Sequence, residues 1–369
     1  MNNDWAFLPM RSSTGLLGDP AALQRRLEKD GYLWLEQVLD PHKVRALRHH
    51  MCAVLNEHGW IAGGEFLDDA VAIGRPVDEG HDEFAACYDD VQRLEDLHAL
   101  AHDPALLDLM HQVVGPTAFP HPLKVARLAF PSNYEVSTPP HQDYPNNQGT
   151  PSLTAAWIPV GDCPRELGAL AVLRGSHKNG VLDLEIHPGP GNRQAVIPRE
   201  MQEKLRWVTT DFQAGDVLLF TSHTVHAALH NATEFNMRLS VDFRYQPEGE
   251  PLTDLVLEPH FGRLTWPDIY AGWTRHDLRY YWADLDFDVV PFEGHAARAW
   301  DADTSTGLKA EMGGMQGNDA LALTDADWRT ILTVEQRIAH RHQRRVQRIA
   351  ELGRHHADAD LSHPPDSTS

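Results

Sequence analysis

His141 and Asp143 stand two residues apart in the segment Pro139-Pro140-His141-Gln142-Asp143-Tyr144. On an extended chain residues i and i+2 project to the same side, so this imidazole and this carboxylate can face one metal ion. Three letters recur by chance, and the pair needs a third ligand from elsewhere. The stretch from Gly215 onward offers His223, His226 and His230. Along a strand positions 223 and 226 have opposite parity, so only one of the two can share an interior face; spacing alone does not choose between them. Two neutral imidazoles and one carboxylate on one face of a divalent ion leave the other face open to substrates, and such harder ligands suit Fe(II) better than a thiolate set would. Cys52, Cys87 and Cys163 are far apart and lack CxxC spacing, which argues against both a zinc ribbon and a disulfide framework. A reducing, cytoplasmic setting is the default expectation.

The chain of 369 residues is long enough to bury a large core. Its formal charge of −21, from 32 Lys and Arg against 53 Asp and Glu, disfavours nucleic-acid phosphates and anionic membranes as partners. A small-molecule partner fits better. No apolar run approaches the ~20 residues needed to span a bilayer.

The elements that must position these residues follow from periodicity. Leu23 and Leu27 suggest a short helix stopped at Gly31, followed by a strand from Tyr32 to Val38. Asp40-Pro41 opens a second helix, to about His58, with Val44, Leu47, Met51 and Leu55 on its apolar stripe. Helical spacing returns between Val91 and Val114 and stops at Gly115-Pro116. Residues 1–18 read as an arm or loop. From Leu123 to Tyr245 short apolar runs alternate with turn residues: Val125–Phe130, Leu153–Val160, Leu170–Leu173, Ala195–Ile197, Trp207–Thr209, Val217–Phe220 and Leu239–Tyr245. Such spacing predicts an antiparallel sandwich or barrel of the jelly-roll, cupin-like kind, a mostly β core with flanking helices. The chain therefore divides into an N-terminal segment (1–120), the β core (121–250), an aromatic-rich extension that could form a lid (251–320) and a C-terminal helix with its tail (321–369). In the last, Thr324 and Asp327 can form an acidic variant of a capping box.

Several ordered motifs carry a family likeness: Asp30-Gly31-Tyr32; His141-Gln142-Asp143; Gly168-Ala169-Leu170 with Arg174-Gly175-Ser176-His177-Lys178; Gly215-Asp216-Val217-Leu218-Leu219-Phe220 leading to His226; and Arg238. Together they resemble the phytanoyl-CoA dioxygenase family of Fe(II)- and 2-oxoglutarate-dependent oxygenases, whose core is a double-stranded β-helix. In that family the distal histidine is followed by a small residue, which selects His226-Ala227 over His223. The resemblance implies iron on His141, Asp143 and His226, and 2-oxoglutarate on Arg238, with Trp157 and Lys124 beside it. A guanidinium offers a carboxylate two parallel donors, which suits Arg238 to that part. Relatives often carry a hydroxyl at position 228, where this chain has Ala228, so that contact is absent or is supplied by another group such as Thr221 or Ser240.

The resemblance implies an enzyme that uses Fe(II), 2-oxoglutarate and O₂ to hydroxylate a small molecule, releasing succinate and CO₂; desaturation, epoxidation and ring closure share the same cofactors. Asp143 argues against halogenation, because halogenating relatives have a small residue there. A metabolite-binding cupin without catalysis would have lost a ligand or Arg238, and a zinc hydrolase would leave Arg238 unexplained. Gln142, Arg127, Trp266 and Trp273 are the candidates for substrate contact.

Overall fold

The structure is a computed structural model describing residues 6–77, 79, 81–131, 137–186 and 193–293. The first strand, β1 (Leu8–Pro9), replaces the expected arm: it pairs in parallel with Val208 and Thr209. Helix α1 (Pro20–Asp30) begins where the Asp19 carboxylate accepts from the Ala22 amide, with Pro20 in the first turn. It ends at Gly31, whose φ of 81° favours glycine. A Cβ there would lie 2.5 Å from His177 Nδ1 and 2.9 Å from Thr224 Oγ1, so the position is closed to larger residues by space as well. Strand β2 (Tyr32–Leu35) follows, then α2 (Pro41–Glu57), capped by Asp40 on the His42 amide. The helical stretch expected from Val91 is three helices, α3 (Asp82–Gln92), α4 (Glu95–Leu100) and α5 (Pro104–Val113). Asp103-Pro104 divides the last two, because a proline that cannot donate starts a helix and the preceding carboxylate caps the Ala105 amide.

Strands β3 (Ala118–Pro120), β4 (Val125–Ala129), β5 (Thr154–Pro159), β6 (Leu170–Arg174), β7 (Leu184–Ile186), β8 (Arg193–Ala195), β9 (Arg206–Thr209), β10 (Val217–Thr221), β11 (His226–Ala228) and β12 (Arg238–Pro247) supply the core, with the one-turn helix α6 (Tyr144–Asn147) before β5. The larger sheet runs β2-β10-β5-β12-β3, with β4 also on β12; the smaller runs β1-β9-β6-β11. Apart from β1, every pairing in these two sheets is antiparallel.

Period-2 alternation sorts each strand of the larger sheet into two layers. Ala156, Ile158, Val217, Leu219, Val241 and Phe243 face the helices, where they share a core with Leu23, Val44, Leu47, Met51, Val91 and Leu109. Tyr32, Ala155, Trp157, Leu218 and Phe220 face inward and pack on Leu170, Val172, Val208 and Ala228 of the smaller sheet. The result is the mostly β, double-stranded core with flanking helices that the spacing of the apolar runs predicts. Beyond β12 the aromatic segment packs as its own cluster around Trp266, Tyr270, Trp273 and Trp282. The C-terminal helix expected after Thr324 lies outside the described residues.

Candidate active site

His141 and His226 meet because their backbones pair directly: each amide donates to the other's carbonyl, at 2.9 and 3.0 Å. Opposed residues of an antiparallel pair place their side chains on one face, and the two imidazole rings lie 4.1 Å apart between centroids. Each Nδ1 is engaged with a backbone carbonyl, His141 with Pro139 at 2.8 Å and His226 with Thr224 at 3.0 Å. Donation from Nδ1–H to those oxygens leaves each Nε2 with its lone pair free, the tautomer a metal ligand needs. Asp143 Oδ1 sits 3.9 Å from both Nε2 atoms. One ligand atom from each of His141, Asp143 and His226 lies within 4.8 Å of the others, and all three residues are buried.

Burial lowers the His141 pKa to about 3, with His226 adding to the effect, and burial also lowers that of His226. Both rings are therefore neutral, as ligands must be. Burial alone would push the Asp143 carboxyl upward, but the Arg244 guanidinium, by charge and by hydrogen bond, holds it well below the usual carboxylate range. Arg244 donates from Nε to Oδ2 at 3.1 Å and from Nη2 to Oδ1 at 3.2 Å.

A small cavity opens beside the two imidazoles, lined also by Arg127, Thr138, Trp157, Leu170, Ala228, Arg238 and Asp242. Arg238 and Asp242 reach it from the inward face of β12; Trp157, opposite Asp242, reaches it from β5. Arg238 Nη1 donates to Ser240 Oγ at 2.6 Å, whereas buried Arg238 Nε finds no partner among the described residues. Trp157 Nε1 is likewise buried and without one. Arg238 and Trp157 both line the cavity, each with a buried donor left unmet among the described residues, and an unmet buried donor costs about 1–3 kcal/mol, which an acceptor-rich ligand would relieve. A dicarboxylate fits that demand, and the donor set at the other end of the cavity fits a hard divalent ion. A second cavity shares Arg127, Thr138 and Arg238 with the first.

Of the remaining sequence candidates, Arg127 lines both cavities, with its Nε donating to Asp242 Oδ2 at 2.8 Å. Lys124 is not brought to either cavity: its Nζ donates to His121 O and to Tyr281 Oη, and burial pushes its pKa well down. Gln142 points away from the metal side, as the residue between two same-face ligands must. Its Oε1 accepts from the Leu182 amide and its Nε2 donates to the Gly180 and His223 carbonyls, so it joins loops. Trp266 and Trp273 are core residues whose indole N–H groups donate to Leu257 O and Arg93 O. They belong to the aromatic cluster, which packs on α3 and α4 through Arg93 and His98. His223 stacks on Tyr144 at 4.8 Å and His230 contacts Ser137; neither joins the metal set. Of the hydroxyls proposed to compensate for Ala228, Ser240 contacts Arg238, while Thr221 is engaged with Thr224.

Arg244 escaped the sequence reading. The available signal was parity: Arg238, Ser240, Asp242, Arg244 and Gln246 alternate with apolar residues on one strand, which puts Arg244 on the same face as Arg238.

A mostly β core that gathers two imidazoles, one carboxylate and a buried arginine around a polar cavity defines the class of non-haem iron, 2-oxoglutarate-dependent oxygenases. The particular family is shown by comparison. The phytanoyl-CoA dioxygenase model matches residues 27–240, and the chain belongs to that family. It is 31% identical over 266 residues to a 1-deoxypentalenic acid 11-beta-hydroxylase of Streptomyces arenae, covering 69% of this chain and 89% of the relative. The Streptomyces exfoliatus protein of the same name is 30% identical over 269 residues with the same coverage. Among solved structures, the non-heme alpha ketoglutarate dependent carbocyclase SnoK from nogalamycin biosynthesis is similar at 20% identity and a TM-score of 0.43, covering 65% of this chain and 88% of that one. Among the described residues, no helix is long and apolar enough to cross a membrane.

Proposed function

We propose that this protein hydroxylates a small-molecule metabolite, with Fe(II) held by His141, Asp143 and His226 and with 2-oxoglutarate held by Arg238 and Trp157. The observation that carries the reading is that one cavity is lined by His141 and His226, each with a free imidazole Nε2, and by Arg238 and Trp157, each with a buried donor lacking a partner among the described residues. Bound iron with 2-oxoglutarate and O₂ supplies the oxidising power, 2-oxoglutarate leaving as succinate and CO₂.

The chain's own residues bind, orient and shield. Arg238 meets the far carboxylate of 2-oxoglutarate with charge and direction together, in surroundings from which water is largely excluded. Burial, which lowers the guanidinium pKa, makes an anionic partner more valuable there. Leu170 and Ala228 form the apolar side of the cavity, and Phe220 packs 4.2 Å from the His226 ring. The relatives named as hydroxylases support hydroxylation as the outcome.

The test is anaerobic addition of Fe(II) and then 2-oxoglutarate, following the weak visible charge-transfer absorption of the chelate and 2-oxoglutarate binding by calorimetry. Saturable absorption and binding are expected. Iron-loaded protein giving neither would refute the proposal. Mass spectrometry of a metabolite extract incubated with the complete system should then find one component that gains a single oxygen.

A further inference from the structure

We infer that Arg244 is a positioning residue for the carboxylate ligand, fixing the plane of the Asp143 carboxyl so that Oδ1 alone is presented to the two imidazoles. The inference rests on the reading of His141, Asp143 and His226 as metal ligands. It concerns a residue four positions beyond the stretch that the family model matches.

The geometry is a fork. Arg244 Nε meets Oδ2 and Arg244 Nη2 meets Oδ1, at 3.1 and 3.2 Å, and two roughly parallel bonds between planar groups restrict rotation of the carboxyl. Oδ1, which accepts from Nη2, is also the oxygen that approaches both Nε2 atoms, while Oδ2 accepts from Nε. Both side chains are buried, at 7% and 1% exposure, so water does not compete for the fork. Arg244 has room because its cross-strand neighbour on β5 is Ala155, which places only a methyl group beside it. The main chain of Asp143 is held separately: its carbonyl accepts from the Asn146 and Asn147 amides and from Asn147 Nδ2. Two different elements thus hold one ligand, α6 by the backbone and β12 by the carboxyl.

A carboxylate free to turn can offer both oxygens to one ion and occupy a position that a co-substrate needs. The fork keeps one oxygen for the ion. Arg244 therefore acts through Asp143, and its removal should be felt in metal binding before any substrate is present.

The test uses metal-free full-length protein, anaerobic Co(II), calorimetry and the visible absorption of bound Co(II). Wild type is compared with Arg244→Met, Arg244→Lys, Asp143→Ala and the double variant. Arg244→Met should weaken Co(II) binding at least ~10-fold and alter the absorption, the scale expected for residues that orient metal ligands. Arg244→Lys should fall between, since an ammonium lacks the planar fork. In the Asp143→Ala background, Arg244→Met should change the affinity by less than about twofold. Wild-type affinity and absorption in Arg244→Met would overturn the inference, as would an equal loss in both backgrounds. Should Arg244→Met fail to fold, Arg244→Lys decides: wild-type affinity and absorption there also overturn it. Absence of Co(II) binding by wild type would instead overturn the ligand reading on which the inference rests.

Discussion

The two faces of β12 are built on opposite principles. Leu239, Val241, Phe243 and Tyr245 point to the helices and hold them by apolar burial. Arg238, Ser240, Asp242, Arg244 and Gln246 point inward, and each has a particular polar partner: Arg238 with Ser240, Asp242 with Arg127, Arg244 with Asp143, and Gln246 with His121. Apolar contact is tolerant of exact direction, whereas a buried charge must be paired or its desolvation is uncompensated. The outward face therefore contributes stability and the inward face contributes geometry, at a cost that packing on the other side offsets.

That contrast can be broken by four measurements. The largest effect belongs to the outward face: Phe243→Ala should cost about 3–5 kcal/mol in urea denaturation, as large-to-small changes in tight cores do, while 2-oxoglutarate affinity of the folded protein stays within about threefold. An affinity loss matching the stability loss would show that the faces are not separable. Arg238→Leu should do the reverse. We expect 2-oxoglutarate binding to weaken at least ~100-fold, about 2.7 kcal/mol, with the stability of the ligand-free protein changed by less than about 1 kcal/mol. Marked unfolding would mean that the guanidinium is structural.

The third measurement is of pH. Burial lowers His141, and His121 beside Gln246, to about 3. His98 and His102, near Lys124, fall to about 3 for the same reason. Between that value and the unfolded value of about 6.5 the unfolded chain binds protons that the folded chain does not, so stability rises with pH across this window and is lost as pH falls through it. Each such histidine should remove about 2 kcal/mol by pH 5, on an order-of-magnitude scale. Urea midpoints of metal-free protein at pH 7.5 and pH 5 check this, and equal midpoints would contradict it. The smallest effect is expected of His223→Ala, which should leave iron-dependent turnover within about twofold, whereas His226→Ala should abolish it. The opposite result would exchange the two residues in the ligand set.

Much of the fold was legible because strand periodicity is local. The runs at 125–130, 153–160, 217–220 and 239–245 all became strands of the larger sheet, with ends moved by a residue or two. The short strands β1, β3, β7 and β11 were not visible, since two or three residues carry no period and owe their conformation to a neighbour's register. The same distinction divides the site. His141 and Asp143 are two apart, a spacing that puts them on one side wherever the segment is extended. Lys124 shows the limit: it is close in sequence to Arg127, yet its ammonium is turned to His121 and Tyr281.

By itself, then, the amino-acid sequence determined the type of donor groups offered, the layer structure of the core and the closeness of His141 to Asp143, because these depend on residue type and on spacing within a few residues. Only the tertiary structure decided that the His141 backbone pairs with that of His226, that Arg238 and Trp157 leave donors open in the same cavity, and that Arg244 grips the Asp143 carboxylate. Those relations join residues 81 to 101 positions apart, and their geometry is set by strand register, which no local pattern contains.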